Sequence, residues 1–393
     1  MFLIRKKTKQ SKQKTARMMK QVLFLIAITL LISCKEKRNT YLISGNVTNI
    51  PDSTIIDLFM DYGDTGNKIS SDTIFNGQFE FSDSLETGPV RMCLRMSDWE
   101  NFCGACDVWV DKEIIEVQGN GKYLSTWKAT SKVKEQIALN KFGSATGNLQ
   151  AKIDSLYLAG FKNRSDKELR GQIMHKIDSI GNQINELEFS IIKENPNSTS
   201  AIRKLYELVA FDGPIAKEQI KEIYDSMDPA YKNSLYAEGI LSNLEEKKIP
   251  EIGDNMLNFI AHDTNGVEHS LTDFKGKYIL LDFWSLGCGP CFAAMPETKR
   301  IDSLNREQLV IIGVSMSSDE ESWKKISKMK NISWINLSDG KGTFAGASAI
   351  YGIEGFPSYF LINPEGVIVD KWFGYQEGWL ADKLKKHMKD VNV

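Results

Sequence analysis

The chain has 393 residues, 42% of them apolar and 25% charged, with 29 Gly and 10 Pro. That mixture excludes a disordered, collagen-like or low-complexity polymer, and the length calls for two or three domains. The charge is lopsided: residues 1–33 carry eight Lys/Arg and no acid, while the other 360 hold 41 basic against 51 acidic groups, a balance of −10. So acidic a body offers no electrostatic footprint for nucleic acid. Lys6, Lys7, Lys9, Lys12, Lys14, Arg17 and Lys20 precede an apolar run from Val22 to Ile32. A basic leader followed by such a run is a secretory signal, and the run falls short of the roughly 20 apolar residues that span a bilayer.

The run closes on Leu31-Ile32-Ser33-Cys34, which resembles a bacterial lipobox. That resemblance implies cleavage after Ser33, acylation of Cys34, and a mature chain held by lipid in the cell envelope, facing the periplasm or the outer surface. An ordinary export signal with an incidental Cys is the alternative. The leader is long enough for Met18 or Met19 to be the true start, and Lys35 to Asn39 form a short solvated tether.

Residues 34–124 show period-two alternation, in Tyr41–Val47, Ile55–Met60, Val90–Met96 and Val108–Val117. Asn76-Gly77 supplies the positive φ of a type I′ turn, so a hairpin is expected over Thr73–Phe81. Short strands at this spacing predict a small antiparallel β-sandwich. Residues 125–250 change to a period of 3.6. Leu169, Ile173, Ile177, Ile180, Ile184, Leu187 and Ile191 make one helical stripe. The stripe is either a dimer seam or, as is commoner, the face that packs on a helix carrying Leu149, Ile153 and Leu156. Asn195-Pro196-Asn197-Ser198, Pro214 and Pro229 mark helix breaks and starts. Residues 251–393 alternate strands and helices, with strands at Asn258–Ala261, Tyr278–Phe283, Leu309–Val314, Ser358–Ile362 and Val367–Phe373. Helices are expected after Gly289, over Glu320–Met329 and over Glu377–Met388, as in a sheet covered by helices.

The densest signal is Asp282-Phe283-Trp284-Ser-Leu-Gly287-Cys288-Gly289-Pro290-Cys291, where a strand runs into a loop and a Cys-x-x-Cys opens a helix. The helix start stabilises the thiolate of Cys288, while Cys291, one turn in, stays protonated until needed. Thiol–disulfide exchange has those requirements: Cys288 attacks, a mixed disulfide forms and Cys291 resolves it.

Residues 251–393 resemble the thioredoxin-like domain of the TlpA/ResA kind, the membrane-tethered bacterial thiol–disulfide oxidoreductases. The resemblance implies that Asp282 is a buried carboxylate serving the proton of Cys291. It also implies that Gly355-Phe356-Pro357 is the cis-proline loop, where Pro357 faces the dithiol and Phe356 offers backbone to an extended substrate. Trp284, Gly289 and Pro290 would border the substrate, and Pro296 would kink the helix. No cofactor is implied. The partners implied are exported cysteine-containing proteins and a membrane electron donor of the DsbD or CcdA type. Gly-Pro is the thioredoxin dipeptide and points to a potential nearer about −270 mV than the roughly −120 mV of a strong oxidant. Two positions depart from the family. Gly287 stands where Trp commonly precedes the first Cys, and Ala294 stands where ResA-like members carry Glu, which counts against cytochrome c maturation as the specific task.

A zinc site wants four ligands, and His175, His262, His269 and His387 are scattered. A peroxiredoxin-type peroxidase would place Pro at Leu281 ahead of Ser285 and Cys288. A lipid-anchored binding or assembly protein with a vestigial dithiol is the rival from outside enzymology. Cys93, Cys103 and Cys106 admit a second redox pair, a three-thiolate metal site, or a structural disulfide with one thiol left over. An oxidising compartment favours the disulfide. If the hairpin turns near Trp99, Cys93 falls opposite Cys106.

Overall fold

The computed structural model describes residues 39–61, 66–211, 213–245, 248–389 and 391–392. The basic leader, the apolar run and Cys34 lie outside them. Eight strands open the described chain: β1 (Thr40–Thr48), β2 (Ile55–Asp61), β3 (Gly66–Thr73), β4 (Gln78–Ser84), β5 (Val90–Met96), β6 (Cys106–Val110), β7 (Ile114–Asn120) and β8 (Lys128–Thr130). They form two four-stranded sheets, β4-β1-β7-β8 and β3-β2-β5-β6. Because successive side chains leave a strand on opposite faces, Ile43, Val47, Phe79 and Phe81 of one sheet meet Ile56, Leu58, Leu94 and Val108 of the other in a single core.

Three features differ from the sequence-based expectation. Asn76 and Gly77 do make the tight turn, with φ of 50° and 72°, and close Phe75 onto Gln78. Beyond it the strands part, β3 pairing with β2 and β4 with β1, so the turn is a corner between sheets and not a hairpin. The sandwich is also not wholly antiparallel. β1 and β7 run parallel, since the connection between them passes through the other sheet. Finally, β8 adds to β7, which delays the first helix from Ser125 to Lys134.

Five helices follow: α1 (Lys134–Lys162), α2 (Lys167–Glu194), α3 (Thr199–Ala210), α4 (Lys217–Ser226) and α5 (Leu235–Leu244). Asp166, Ser198 and Ser234 cap α2, α3 and α5 by accepting from the amides of Leu169, Ala201 and Ala237. The stripe on α2 packs within the chain: Ile173, Ile177 and Ile184 meet Ile153 of α1, flanked by Leu149, Leu156, Leu169 and Ile180. Leu187 stays on the surface and Ile191 joins the next core, built on Leu205, Ile220 and Ile240. Phe344 enters that core from the C-terminal region, its ring 5.0 Å from Tyr206 and 5.2 Å from Tyr236. No described helix is long and apolar enough to cross a membrane.

The remainder alternates: β9 (Ile260–Asp263), β10 (Glu268–Ser270), β11 (Tyr278–Trp284), α6 (Gly289–Asn305), β12 (Leu309–Ser315), α7 (Glu320–Met329), β13 (Ile335–Ser338), α8 (Ala347–Tyr351), β14 (Ser358–Ile362), β15 (Ile368–Phe373) and α9 (Trp379–His387). One sheet results, in the order β10-β9-β13-β12-β11-β14-β15, with β11, β12 and β13 parallel. β13, four residues with polar Asn336 and Ser338, carries too little pattern to be read from sequence. Leu280, Tyr359 and Leu361 face Ile301 of α6 and Leu380 and Leu384 of α9. Leu281, Phe283 and Phe360 face α8 on the other side.

Candidate active site

β11 is buried along nearly its whole length and delivers Asp282 and Trp284 before the chain turns into α6. Cys288 is the N-cap of α6, with φ −87° and ψ 100°, and its Sγ accepts from the amide of Cys291 at 3.1 Å. The sulfur therefore sits at the positive end of a helix of 17 residues. Gly289 and Pro290 lie exposed in the first turn, where a missing proline amide costs nothing. Pro296 lies inside the same helix. Cys288 and Cys291 are joined by a disulfide, their Cα atoms 5.2 Å apart. Cys288 is half-buried and Cys291 is buried, in contact with Trp284 and Trp323.

Trp284 is placed differently from the sequence-based expectation. At 2% exposure it lies behind the dithiol and not on the substrate face. Its Nε1 donates to Asn336 Oδ1 at 3.1 Å, Asn336 Nδ2 donates to Ser327 Oγ at 2.8 Å, and Ser327 Oγ donates to the Trp323 carbonyl at 2.6 Å. Gly313 leaves room for this network, since a Cβ there would lie 3.1 Å from Asn336 Oδ1. Asn336, Ser327 and Trp323 carry no motif, and their part in the site depends on β13 lying one strand beyond β11, across β12, and on α7 packing against it.

Asp282 is buried and its Oδ1 has no hydrogen-bond partner. Burial pushes its pKa up to about 7, so at neutral pH it exists in both protonation states. The Phe356–Pro357 peptide is cis, and the Pro357 carbonyl accepts from Gly374 N at 2.8 Å. Phe356 packs on the same Trp284–Cys291–Trp323 cluster as Cys288, so cis-proline loop and dithiol meet. One turn beyond Ala294, Glu297 is buried and ties α6 to the start of α9. It accepts from Tyr375 Oη at 2.9 Å and from the amides of Gly378 and Ala381 at 3.0 Å.

The other cysteines do not join this site. β5 and β6 pair with Leu94 opposite Cys106 and Cys93 opposite Asp107, so the ladder turns about Glu100 and not Trp99. That shift of one residue sends Cys106 into the sandwich core and leaves Cys93 out of it. The disulfide expected among Cys93, Cys103 and Cys106 is accordingly not formed, and all three stand as thiols. Burial, then Asp154, raises the pKa of Cys103; burial, then Asp107 and Cys93, raises that of Cys106. Among the described residues, no group of three or more His, Cys, Asp or Glu side chains is arranged to hold a metal ion.

A model of the AhpC/TSA family matches residues 252–371. The thiol–disulfide oxidoreductase ResA of Bacillus thuringiensis is 30% identical over 148 residues, 37% of this chain and 82% of its own length. The thioredoxin-like protein YneN of Bacillus subtilis is 29% identical over 121 residues, 30% of this chain and 69% of its own. Among solved structures, the thioredoxin domain of a thiol–disulfide oxidoreductase from Bacteroides vulgatus is 32% identical with a TM-score of 0.32, covering 36% of this chain and 99% of that one. With its dithiol on a strand–loop–helix and its likeness to ResA confined to the last third, the chain belongs to the thioredoxin-like thiol–disulfide oxidoreductases of the ResA type.

Proposed function

We propose that this chain works outside the cytoplasm, exchanging electrons with cysteines of exported proteins through its Cys-Gly-Pro-Cys dithiol, as a reductant or isomerase and not as an oxidant. One observation carries the proposal: Cys288 Sγ caps α6 and accepts the Cys291 amide at 3.1 Å, whereas Cys291 is buried behind it. The thiolate is thereby favoured at one sulfur of the two.

In the reduced protein, Cys288 attacks a client disulfide, bonds one client sulfur and releases the other as thiolate. Cys291 gives its proton to Asp282 and attacks Cys288 Sγ. The bound client sulfur leaves, the Cys288–Cys291 disulfide closes, and two electrons have passed to the client. A carboxyl with a pKa of about 7 can take that proton at neutral pH. Pro357 shapes the face beside the sulfurs, Phe356 offers backbone to an extended client, and Gly289 and Pro290 border it. Residues 1–33 would direct export and Cys34 would carry the lipid. Residues 34–124 and 125–250 would hold the 251–393 domain away from the membrane, where a DsbD- or CcdA-type donor restores the dithiol.

The test is insulin reduction by dithiothreitol with wild type and Cys288→Ser. Loss of the catalysed rate is expected. Equal rates would overturn the proposal in favour of a lipid-anchored binding or assembly protein, the reading to which Gly287 and Ala294 point. A reduction potential near about −270 mV is expected, and one near about −120 mV would reverse the direction. Cys291→Ala would hold the client as a mixed disulfide. Leu281, at the position where a peroxidase needs Pro, weighs against peroxide as the substrate.

A further inference from the structure

We propose that the cleft between α7 and the β9–β10 turn is a phosphate-binding site, with Lys324 and Lys328 on one wall and Asn265 and His269 on the other. Neither cysteine of the dithiol takes part in it.

The cleft has a volume of about 530 Å³. That lies inside the range of about 300–1,000 Å³ usual for small-molecule sites. Lys324, Ser327 and Lys328 line it from α7, and Asn336 lines it from β13. Positions 324, 327 and 328 share one helix face, since residues three and four apart are neighbours on a helix. Ser327 and Asn336 are both buried, and Asn336 Nδ2 donates to Ser327 Oγ at 2.8 Å, so this part of the lining is polar and fixed. The opposite wall is the turn after β9. Asp263 Oδ1 accepts from the amides of Asn265 at 2.8 Å and Val267 at 2.9 Å, which closes the turn and presents Asn265. His269 holds its place on that wall by stacking on Phe274, with ring centroids 6.0 Å apart.

Charge decides what fits. Two lysines one turn apart repel, which disfavours the helix unless an anion lies between them. Glu320 answers Lys324 at 2.6 Å, but among the described residues Lys328 has no ion pair. Asp263 is the only acid among the described residues that line the cleft. Its charge is met by the two turn amides, and His269 Nε2 lies 3.8 Å from its other oxygen. The cleft thus carries excess positive charge between low-dielectric walls, which concentrates anions. Ammonium groups are point donors, unlike the planar arginine fork that matches a carboxylate. A tetrahedral phosphate has diverging oxygens, so some can meet the two lysines while others meet His269 and Asn265 Nδ2, which Asp263 holds only at 3.5 Å. Free phosphate ions and phospholipid headgroups both present this chemistry.

The test is isothermal titration calorimetry of the full chain at constant ionic strength, with sodium chloride as the control. Two probes are compared: inorganic phosphate, and glycerophosphoglycerol, the soluble headgroup of phosphatidylglycerol. Saturable binding of one phosphate group per chain is expected, and the tighter probe names the source. Lys324→Ala with Lys328→Ala should weaken it by about tenfold or more, because two charge-assisted bonds are lost. Lys385→Ala with Lys386→Ala removes the same charge from exposed positions on α9 and should leave binding within about twofold. Equal weakening by both pairs would make phosphate an adventitious ion only and overturn the site, as would the absence of saturable heat with either probe. The His269 ring protons of the wild-type chain give a readout that needs no variant. Their resonances should move along the same saturation curve as the heat, while those of His175 and His387 stay. Saturation that leaves His269 unmoved would place the phosphate elsewhere and end the proposal.

Discussion

Cys103-Gly-Ala-Cys106 and Cys288-Gly-Pro-Cys291 share one spacing within one chain and differ in nearly everything else. The second pair opens a helix of 17 residues, so its first sulfur lies against an amide at the positive helix end. The first pair opens a strand of five residues, with no helix to stabilise a thiolate, and burial raises both of its thiol pKa values. Asp154 raises that of Cys103 further. Two sulfurs three residues apart are thus a redox site only where the backbone brings positive potential to one of them and withholds water from the other.

The largest effect that could break this contrast is on catalysis. Cys288→Ser should cut insulin reduction by about a hundredfold or more, because the attacking sulfur is lost. Asp282→Asn should lower the pH 7 exchange rate by about tenfold to a hundredfold in stopped-flow assays. The same variant should be more stable than wild type at neutral pH. Asp282 titrates at about 7 in the native chain against an ordinary 3.8, so the native state holds a proton that the unfolded chain has already released. The contribution of Asp282 to stability is therefore most favourable below about pH 4 and declines as pH rises to about 7, by up to about 4 kcal/mol for a gap of that size. Urea midpoints from pH 4 to 8 should show this slope in wild type and lose it in D282N. Ile184→Ala, which opens the α1–α2 seam, should cost about 2–4 kcal/mol in urea unfolding. Its insulin reduction should stay within about twofold of wild type, since the seam shares no residue with the cluster around the dithiol. The smallest change is expected at the other pair. Cys103→Ser should move stability by less than about 0.5 kcal/mol and leave the rate unchanged. A clear loss of insulin reduction in Cys103→Ser would join the two pairs electrically and end the contrast.

Much of the dithiol site was legible because its parts are consecutive. A buried strand, a short loop and a helix start occupy Tyr278 to Cys291, and each follows from residues a few positions away. The same holds for the cap at Ser198, where one side chain reaches an amide three residues on. The misjudged features all depend on pairing. The Asn76-Gly77 turn forms as its residues demand, yet its strands part because Phe79 and Phe81 bury against the partners of β1. Half a residue in the centre of the β5–β6 turn decided which face Cys93 takes.

Residues 288–291, taken as a string, determined that a thiolate could form at one sulfur, since a helix start creates its own potential from neighbouring amides. Only the tertiary structure decided that Trp284 lies behind the dithiol, that Asn336 anchors it, and that Tyr359 stands across from Asp282. Those relations join strands up to about eighty residues apart, and which strands become neighbours is settled by burying whole surfaces together, a quantity that no short stretch of sequence contains.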